Sequence, residues 1–290
     1  MKKKITITCM LLCLCMAAAA VFTGCGSSSS GSSGEETTAS SLPELNVYCF
    51  QARKADAFLF YTGKSAVLID TGESGFGKTI VEKCAELEIT ALDYLIVTHF
   101  DQDHVGGAKK VLAEMTVSNV LQSNYTKDSS EYEKYASQLK EKGLTAQTVR
   151  EELTFTLDGV TYTVNPPKEE VYSDSENNTS SLIVTVAHGE NKMLFMGDAE
   201  DLRLKEFLET DPPACKLIKL PHHGRWHEPL TDLIKKTSPQ YAVITSSDEE
   251  QEDDETLALL KKQGVTPFLT RTAPVLITDN GSTLQINYCR

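Results

Sequence analysis

Five of the six histidines in this chain fall in two short stretches, Thr98-His99-Phe100-Asp101-Gln102-Asp103-His104 and Pro221-His222-His223-Gly224-Arg225-Trp226-His227. Imidazoles interleaved with carboxylates at one-residue spacing can surround one or two metal ions. In the first stretch the donors alternate along a loop, so His99 and Asp101 can face one ion while Asp103 and His104 turn toward a second. Asp198 closes an apolar run and can bridge the two ions, because a carboxylate has two oxygens. His223, with His222 as the weaker claimant, completes the second ion. Two ions about 3.5–4 Å apart can share a hydroxide nucleophile and clamp an in-line displacement. Carboxylates outnumber what a purely zinc-selective site uses, which admits Mn²⁺ as well as Zn²⁺. Asp103 and Asp198 are the candidate catalytic residues; an exposed polar turn is the bland alternative for 99–104.

Metal donors need rigid supports, and the sequence around these residues supplies them. Short β-rich runs at 45–50, 57–61 and 66–69 precede a helical pattern at 78–87, and Asp70 follows the third run. The buried run at 92–97 predicts a strand that ends where the first His/Asp stretch begins, and Gly106-Gly107 leads into another helix. Further runs at 182–186, 193–196 and 217–220 predict strands, the last two ending at Asp198 and at the second histidine stretch. A final hairpin turns at Asn280-Gly281. Two mixed sheets packed face to face with helices outside fit this order. His188, in Ala187-His188-Gly189-Glu190, reads as exposed and idle, and the acidic run 248–255 as a solvated loop and helix start.

The N-terminus reads as a targeting segment. Lys2, Lys3 and Lys4 precede an apolar run from Ile5 to Phe22, then Thr23-Gly24-Cys25. This predicts a lipoprotein signal over 1–24 with Cys25 lipidated, an uncleaved anchor being the alternative. Residues 25–43, mostly Ser, Gly and Thr, predict a flexible tether, and 44–290 a single hydrolase-sized domain. The domain is thus expected outside the cytoplasmic membrane, attached through lipid. Losing the three lysines moves the net charge from −13 to −16, which argues against a broad electrostatic grip on nucleic acid. Cys49, Cys84, Cys215 and Cys289 are widely spaced with no CxxC pair, and read mainly as small buried hydrophobes.

These residues resemble a known family. Leu68-Ile69-Asp70-Thr71-Gly72, the 98–107 stretch with Gly106-Gly107, Asn178-x-x-Ser181-Leu182, Gly197-Asp198 and His222-His223-Gly224 occur in the order seen in metallo-β-lactamase-fold hydrolases. Within them the chain looks like the extracellular hydrolase domain of ComEC-type competence (DNA-uptake) proteins, where Asp101 replaces a histidine. The resemblance implies an α/β fold, an αββα sandwich, with a binuclear site at one edge between the sheets. It implies that Asp70 orients a ligand histidine, and that Asn178 and Ser181 lie near the first ion or substrate. Arg225 and His227 are open between substrate contact and rim. The chain departs from the pattern at Ala52-Arg53-Lys54-Ala55, where only Asp56 of a Gly-Gln-Gly-Asp element remains, and at Arg225, where serine is usual.

Together these readings predict an extracytoplasmic metal-dependent hydrolase that attacks a phosphate ester with metal-bound hydroxide, through two divalent ions, Zn²⁺ or Mn²⁺. DNA and a cell-envelope polymer are both open as substrate, the latter because exported phosphorylcholine esterases of teichoic acids share the fold. A non-catalytic metal-binding lipoprotein module is the alternative of a different class. Nothing in the sequence points to a protein partner.

Overall fold

Burial alternates along Leu45–Cys49 and along Val160–Asn165, the signature of strands with one face in a core. The computed structural model describes residues 42–125, 127–169, 172 and 176–289. The expected signal segment, Cys25 and the stretch to residue 41 lie outside the described residues.

The first sheet contains β1 (Leu45–Cys49), β2 (Phe58–Tyr61), β3 (Ala66–Ile69), β4 (Ala91–Val97), β5 (Thr116–Gln122) and β6 (Gln147–Thr148). The second contains β7 (Leu153–Leu157), β8 (Val160–Asn165), β9 (Ile183–His188), β10 (Asn191–Phe195), β11 (Leu217–Lys219), β12 (Tyr241–Ile244) and β13 (Thr266–Leu269). The closing hairpin, β14 (Val275–Asp279) and β15 (Leu284–Tyr288), returns to the first sheet beside β1. Both sheets are mixed: β3, β4, β5 and β6 run parallel in one, β10, β11, β12 and β13 in the other, and the remaining pairs are antiparallel.

The inner faces meet in one apolar layer. Phe58 and Phe60 of the first sheet meet Phe195 of the second edge-on, at ring-centroid separations of 5.1 and 4.9 Å, the geometry that aromatic quadrupoles favour. Outside the first sheet lie α1 (Gly77–Glu86), α2 (Gln102–Val105), α3 (Ala108–Glu114) and α4 (Ser130–Lys142). The short α5 (Glu176–Thr179) precedes β9, and α6 (Asp201–Glu209), α7 (Leu230–Thr237) and α8 (Asp254–Gln263) cover the second sheet. Ser129 caps α4 through the amide of Tyr132, and Gly143 ends it in the left-handed conformation. Among the described residues no helix is long and apolar enough to cross a membrane.

Two expectations are corrected. His188 is fully buried, because the β9–β10 turn packs under the β14–β15 turn, with Glu190 N donating to Gly281 O at 2.6 Å. Its Nδ1 lies 3.4 Å from Asp279 Oδ2. Within the acidic run Glu252 is buried, since Arg271 donates to it at 3.1 Å. The four late cysteines are free thiols, of which only Cys289 reaches partial exposure.

Close packing of the loop after β3 on the start of α3 depends on glycine. A Cβ on Gly107 would lie 2.2 Å from Thr71 O and 2.8 Å from Gly77 N. Gly107→Ala is therefore expected to cost about 1–3 kcal/mol, read as a lower calorimetric midpoint. Gly63→Ala, with nothing within 4 Å of the added carbon, is the control. Equal midpoints for the two variants would refute this packing account.

Candidate metal centre

Strands β3 and β4 run parallel, as do β10, β11 and β12, and the donors lie in the segments that follow their C-terminal ends. In open α/β sheets that end is where ligands are bound. Asp70 follows β3, His99 follows β4, Asp198 follows β10, and the histidine pair sits in a 3₁₀ turn, Pro221–Gly224, just after β11.

Several of these residues hold conformations that L-residues rarely adopt. Asp70, His222 and His223 have φ values of 55°, 45° and 55°. Each left-handed non-glycine residue costs about 1–2 kcal/mol. The surrounding hydrogen bonds hold the Asp70 conformation: its carboxylate accepts from Thr98 N at 2.8 Å, Thr98 Oγ1 at 2.7 Å and His104 Nδ1 at 2.8 Å. Asp70 thus faces His104 rather than open space.

Hydrogen bonds also set the tautomer of each histidine. Thr98 Oγ1 donates to Asp70, so it accepts from His99 Nδ1 at 3.1 Å. His104 Nδ1 donates to Asp70. Thr245 Oγ1 donates to Asp56 Oδ1 at 2.6 Å and accepts from His223 Nδ1 at 3.0 Å. In all three rings the Nδ1 proton is engaged, leaving Nε2 as the free donor atom. The Nε2 atom of His99 is buried without a hydrogen-bond partner, and those of His104 and His223 approach carboxylate oxygens. Such an arrangement is what a ligand imidazole requires.

The Nε2 atoms of His104 and His223 converge on Asp198 Oδ2, at 3.1 and 2.9 Å. Asp103 Oδ2 lies 3.4 Å from His223 Nε2. Asp103, His104, Asp198 and His223 thus offer donors that all lie within 4.8 Å of one another. Mixed nitrogen and carboxylate donors of this kind fit a divalent ion such as Zn²⁺ or Mn²⁺. His99 and Asp101 adjoin this group: His99 Nε2 is 3.7 Å from Asp101 Oδ2, and the His99 and His104 rings are 4.0 Å apart.

Beneath the donors lies a charge that the sequence reading did not assign. Lys219 is fully buried, pairs with Asp56, donates to Gly197 O at 3.0 Å and lies 3.5 Å from Asp198 Oδ1. Burial alone would raise the Asp56 carboxyl; Lys219, with the His104 and His223 imidazoles, outweighs it and holds the pKa at about 2. Burial opposes the Lys219 ammonium, but Asp56 and Asp198 raise its pKa. The signal was present in Leu217-Ile218-Lys219-Leu220, a lone charge in an apolar strand.

The other expected residues surround this centre. Ser181 Oγ pairs with His99 Nδ1 at 3.3 Å and accepts from Asp198 N at 3.1 Å. His222 is not in the donor group; its Nδ1 meets His227 Nε2 at 3.1 Å, and His227 Nδ1 donates to Asp201 at 3.0 Å. Burial lowers the His222 pKa to about 4, leaving it a neutral ring. Asn178 Nδ2 donates to Glu200 at 2.8 Å and lies 3.4 Å from His222 Nε2. Arg225 is half-exposed and pairs with Asp253 at 3.1 Å. Lysines flank the centre: Lys54 Nζ is 3.6 Å from Asp103, and Lys127 pairs with Asp101. Sequence reasoning missed Lys54, Lys127 and Glu200, whose charges lie in segments with no distinguishing pattern.

The sequence profile of the Metallo-beta-lactamase superfamily matches residues 51–247. This chain belongs to that superfamily. It is 25% identical over 204 residues to the ComE operon protein 3 of Bacillus subtilis, covering 69% of this chain and 25% of that protein. It is 24% identical over 214 residues to Recombination protein 2 of Haemophilus influenzae, covering 71% of this chain and 25% of that one. The chain therefore spans about a quarter of the length of these relatives. Two solved structures share its fold. The metallo-β-lactamase fold protein YhfI of Bacillus subtilis has a TM-score of 0.50 at 11% identity, over 78% of this chain and 96% of its own. The diiron β-hydroxylase CmlA of Streptomyces venezuelae has a TM-score of 0.50 at 14% identity, over 82% of this chain and 54% of its own.

Burial disfavours the His223 imidazolium, yet Asp198, Asp103 and Asp56 overcome it and raise its pKa from 6.5 to about 10. Its contribution to stability is complete below 6.5 and is lost as pH rises through about 10. The thermal midpoint of metal-free protein should fall between pH 7 and 10, and metal binding at pH 7.5 should release protons, since ligand nitrogens must be deprotonated. Calorimetry in two buffers of different ionisation heat measures that release; a heat independent of buffer would be wrong for this centre. Lys219→Met leaves Asp56 and Asp198 without their buried counter-charge and should cost about 3–5 kcal/mol, measured by urea unfolding. A loss under about 1 kcal/mol would show that the ion pair is not structurally important.

Proposed function

We propose that this metal-dependent hydrolase of the metallo-β-lactamase superfamily cleaves a phosphodiester, at a membrane surface to which Cys25 ties it through lipid. The observation that carries the reading is the pairing of a preset donor group, Asp103, His104, Asp198 and His223, with lysines on its flanks. Lys54 and Lys127 are each partly exposed, with 34% and 38% of their side chains open to solvent. An anion entering between them meets ammonium groups, as a phosphoryl group requires.

A divalent ion, Zn²⁺ or Mn²⁺, held by the donor group would polarise a phosphoryl oxygen and lower the pKa of a water. Asp198 presents Oδ2 to both histidines, and its orientation is fixed by Ser181 at its amide and Lys219 near Oδ1. Asp70 and Thr245 retain the Nδ1 protons of His104 and His223. Lys54 and Lys127 hold the substrate's charge, and His99 and Asp101 border a second position with fewer donors.

The rim favours a short phosphodiester, or one whose charge is offset by its own ammonium group as in a phosphorylcholine-bearing envelope polymer, over a long nucleic-acid strand. Asp201 and Asp253 hold the rim residues His227 and Arg225, Glu250 pairs with Lys54, and the chain carries a net charge of −13. A polyanion extending along such a surface is repelled at every repeat. Trp226, 39% exposed, offers an apolar contact instead.

Purified protein, stripped of metal and then given Zn²⁺ or Mn²⁺, should hydrolyse bis(p-nitrophenyl) phosphate, and Asp103→Ala or His104→Ala should lower kcat by about a hundredfold or more. Lys54→Ala should raise KM several-fold while kcat changes less. Full activity and full metal content in Asp103→Ala would end this proposal. If turnover is metal-dependent, competing phosphorylcholine-bearing teichoic acid against single-stranded DNA decides the polymer.

A further inference from the structure

The two sides of the centre are built differently. Asp103, His104, Asp198 and His223 form one donor group, whereas among the described residues His99 and Asp101 join no group of three or more such donors. Ser181 backs the Nδ1 edge of His99, and Asn178 is turned toward Glu200 and His222. The Asn178 bonds engage its amide nitrogen; its Oδ1 is buried without a hydrogen-bond partner. A cation is already present on this side: Lys127 Nζ donates to Asp101 Oδ1. An ammonium resting on a carboxylate repels a dication seeking the same carboxylate, and half-buried groups screen that repulsion poorly. Asp101 is 25% exposed and Lys127 38%, so the pair sits at the mouth of the centre rather than in open solvent.

We propose that Lys127 is the resident cation of the His99–Asp101 side, so that the protein holds one divalent ion, in the Asp103/His104/Asp198/His223 group. The ammonium then faces the phosphoryl oxygen that a second ion would otherwise meet. Lysine suits this position because its charge rides on a flexible stem that can follow the substrate. The inference rests on the metal-dependent reading above, and narrows it to one ion and a lysine acting on the same phosphate.

The test is metal stoichiometry, read without turnover. The full chain, stripped and dialysed against Mn²⁺ alone, should bind one ion and give the six-line resonance of isolated Mn²⁺. Lys127→Met should bind two, with the broadened spectrum of exchange-coupled ions and a second-ion affinity at least tenfold above that of the unaltered chain. Lys127→Arg should stay at one, and so should Asp101→Asn, because the four-donor group does not use Asp101. Two ions in the unaltered chain, or one in Lys127→Met, overturn the role of Lys127 and leave the metal-dependent reading intact. No ion in any of these proteins overturns both.

Discussion

The buried pair of Lys219 and Asp56 carries the rest of the centre. Carboxylates of Asp56, Asp70, Asp103 and Asp198 lie within reach of the same two imidazoles, and desolvated like charges cannot crowd together without compensation. Lys219 supplies a fully buried cation at the floor, at the end of β11 just before the histidine pair. Asp56 in turn joins elements from both sheets. Its backbone bonds to Asp103 O and Gly72 N, and its side chain to Thr245 and Lys219. Removing either charge would therefore loosen the donors on both sides at once.

Rigidity around the donors is obtained through strained backbone held by many bonds. Asp70, His222 and His223 all occupy left-handed conformations, and Gly197 and Gly224 beside them do so without a Cβ penalty. A Cβ on Gly224 would lie 2.8 Å from Ile244 and 2.9 Å from Glu252, so the turn after the histidine pair seats directly on β12 and on the buried glutamate. Strain of this kind persists only where the surroundings over-determine it. Here they do so with the same hydrogen bonds that choose the histidine tautomers. Backbone geometry and proton placement are thus consequences of one network.

Much of this was legible in the sequence. The strands ending at His99, at Asp198 and before His222 could be read from apolar runs, and clustered histidines marked the donors. What escaped notice depended on contacts across long separations. Lys219 reads as an interruption in a strand until Asp56, from a loop in the other sheet, is placed against it. His188 sits between Ala187 and Gly189 and looks like a turn residue, but the distant Gly281 turn covers it. Lys127 carries no pattern, since a single lysine in a polar loop resembles any other. Local spacing reveals residues that act together from one segment; partners recruited singly from separate segments require the fold.

The relation to CmlA shows where the chemistry of such a centre is decided. A diiron β-hydroxylase and this chain share an architecture at 14% identity, so the sandwich itself does not select a reaction. Selection falls to the residues that the fold leaves free to vary at the ends of its strands. In this chain those ends bring lysines to the carboxylates nearest solvent, Lys54 to Asp103 and Lys127 to Asp101. Flexible cations at the mouth and a fixed one at the floor divide the task. Lys219 is buried against Asp56 and Asp198, while in the reading proposed above the outer lysines exchange a carboxylate for an incoming anion. A centre arranged this way has its donor geometry set in advance by buried charge, and its more exposed charges lie at the carboxylates nearest solvent.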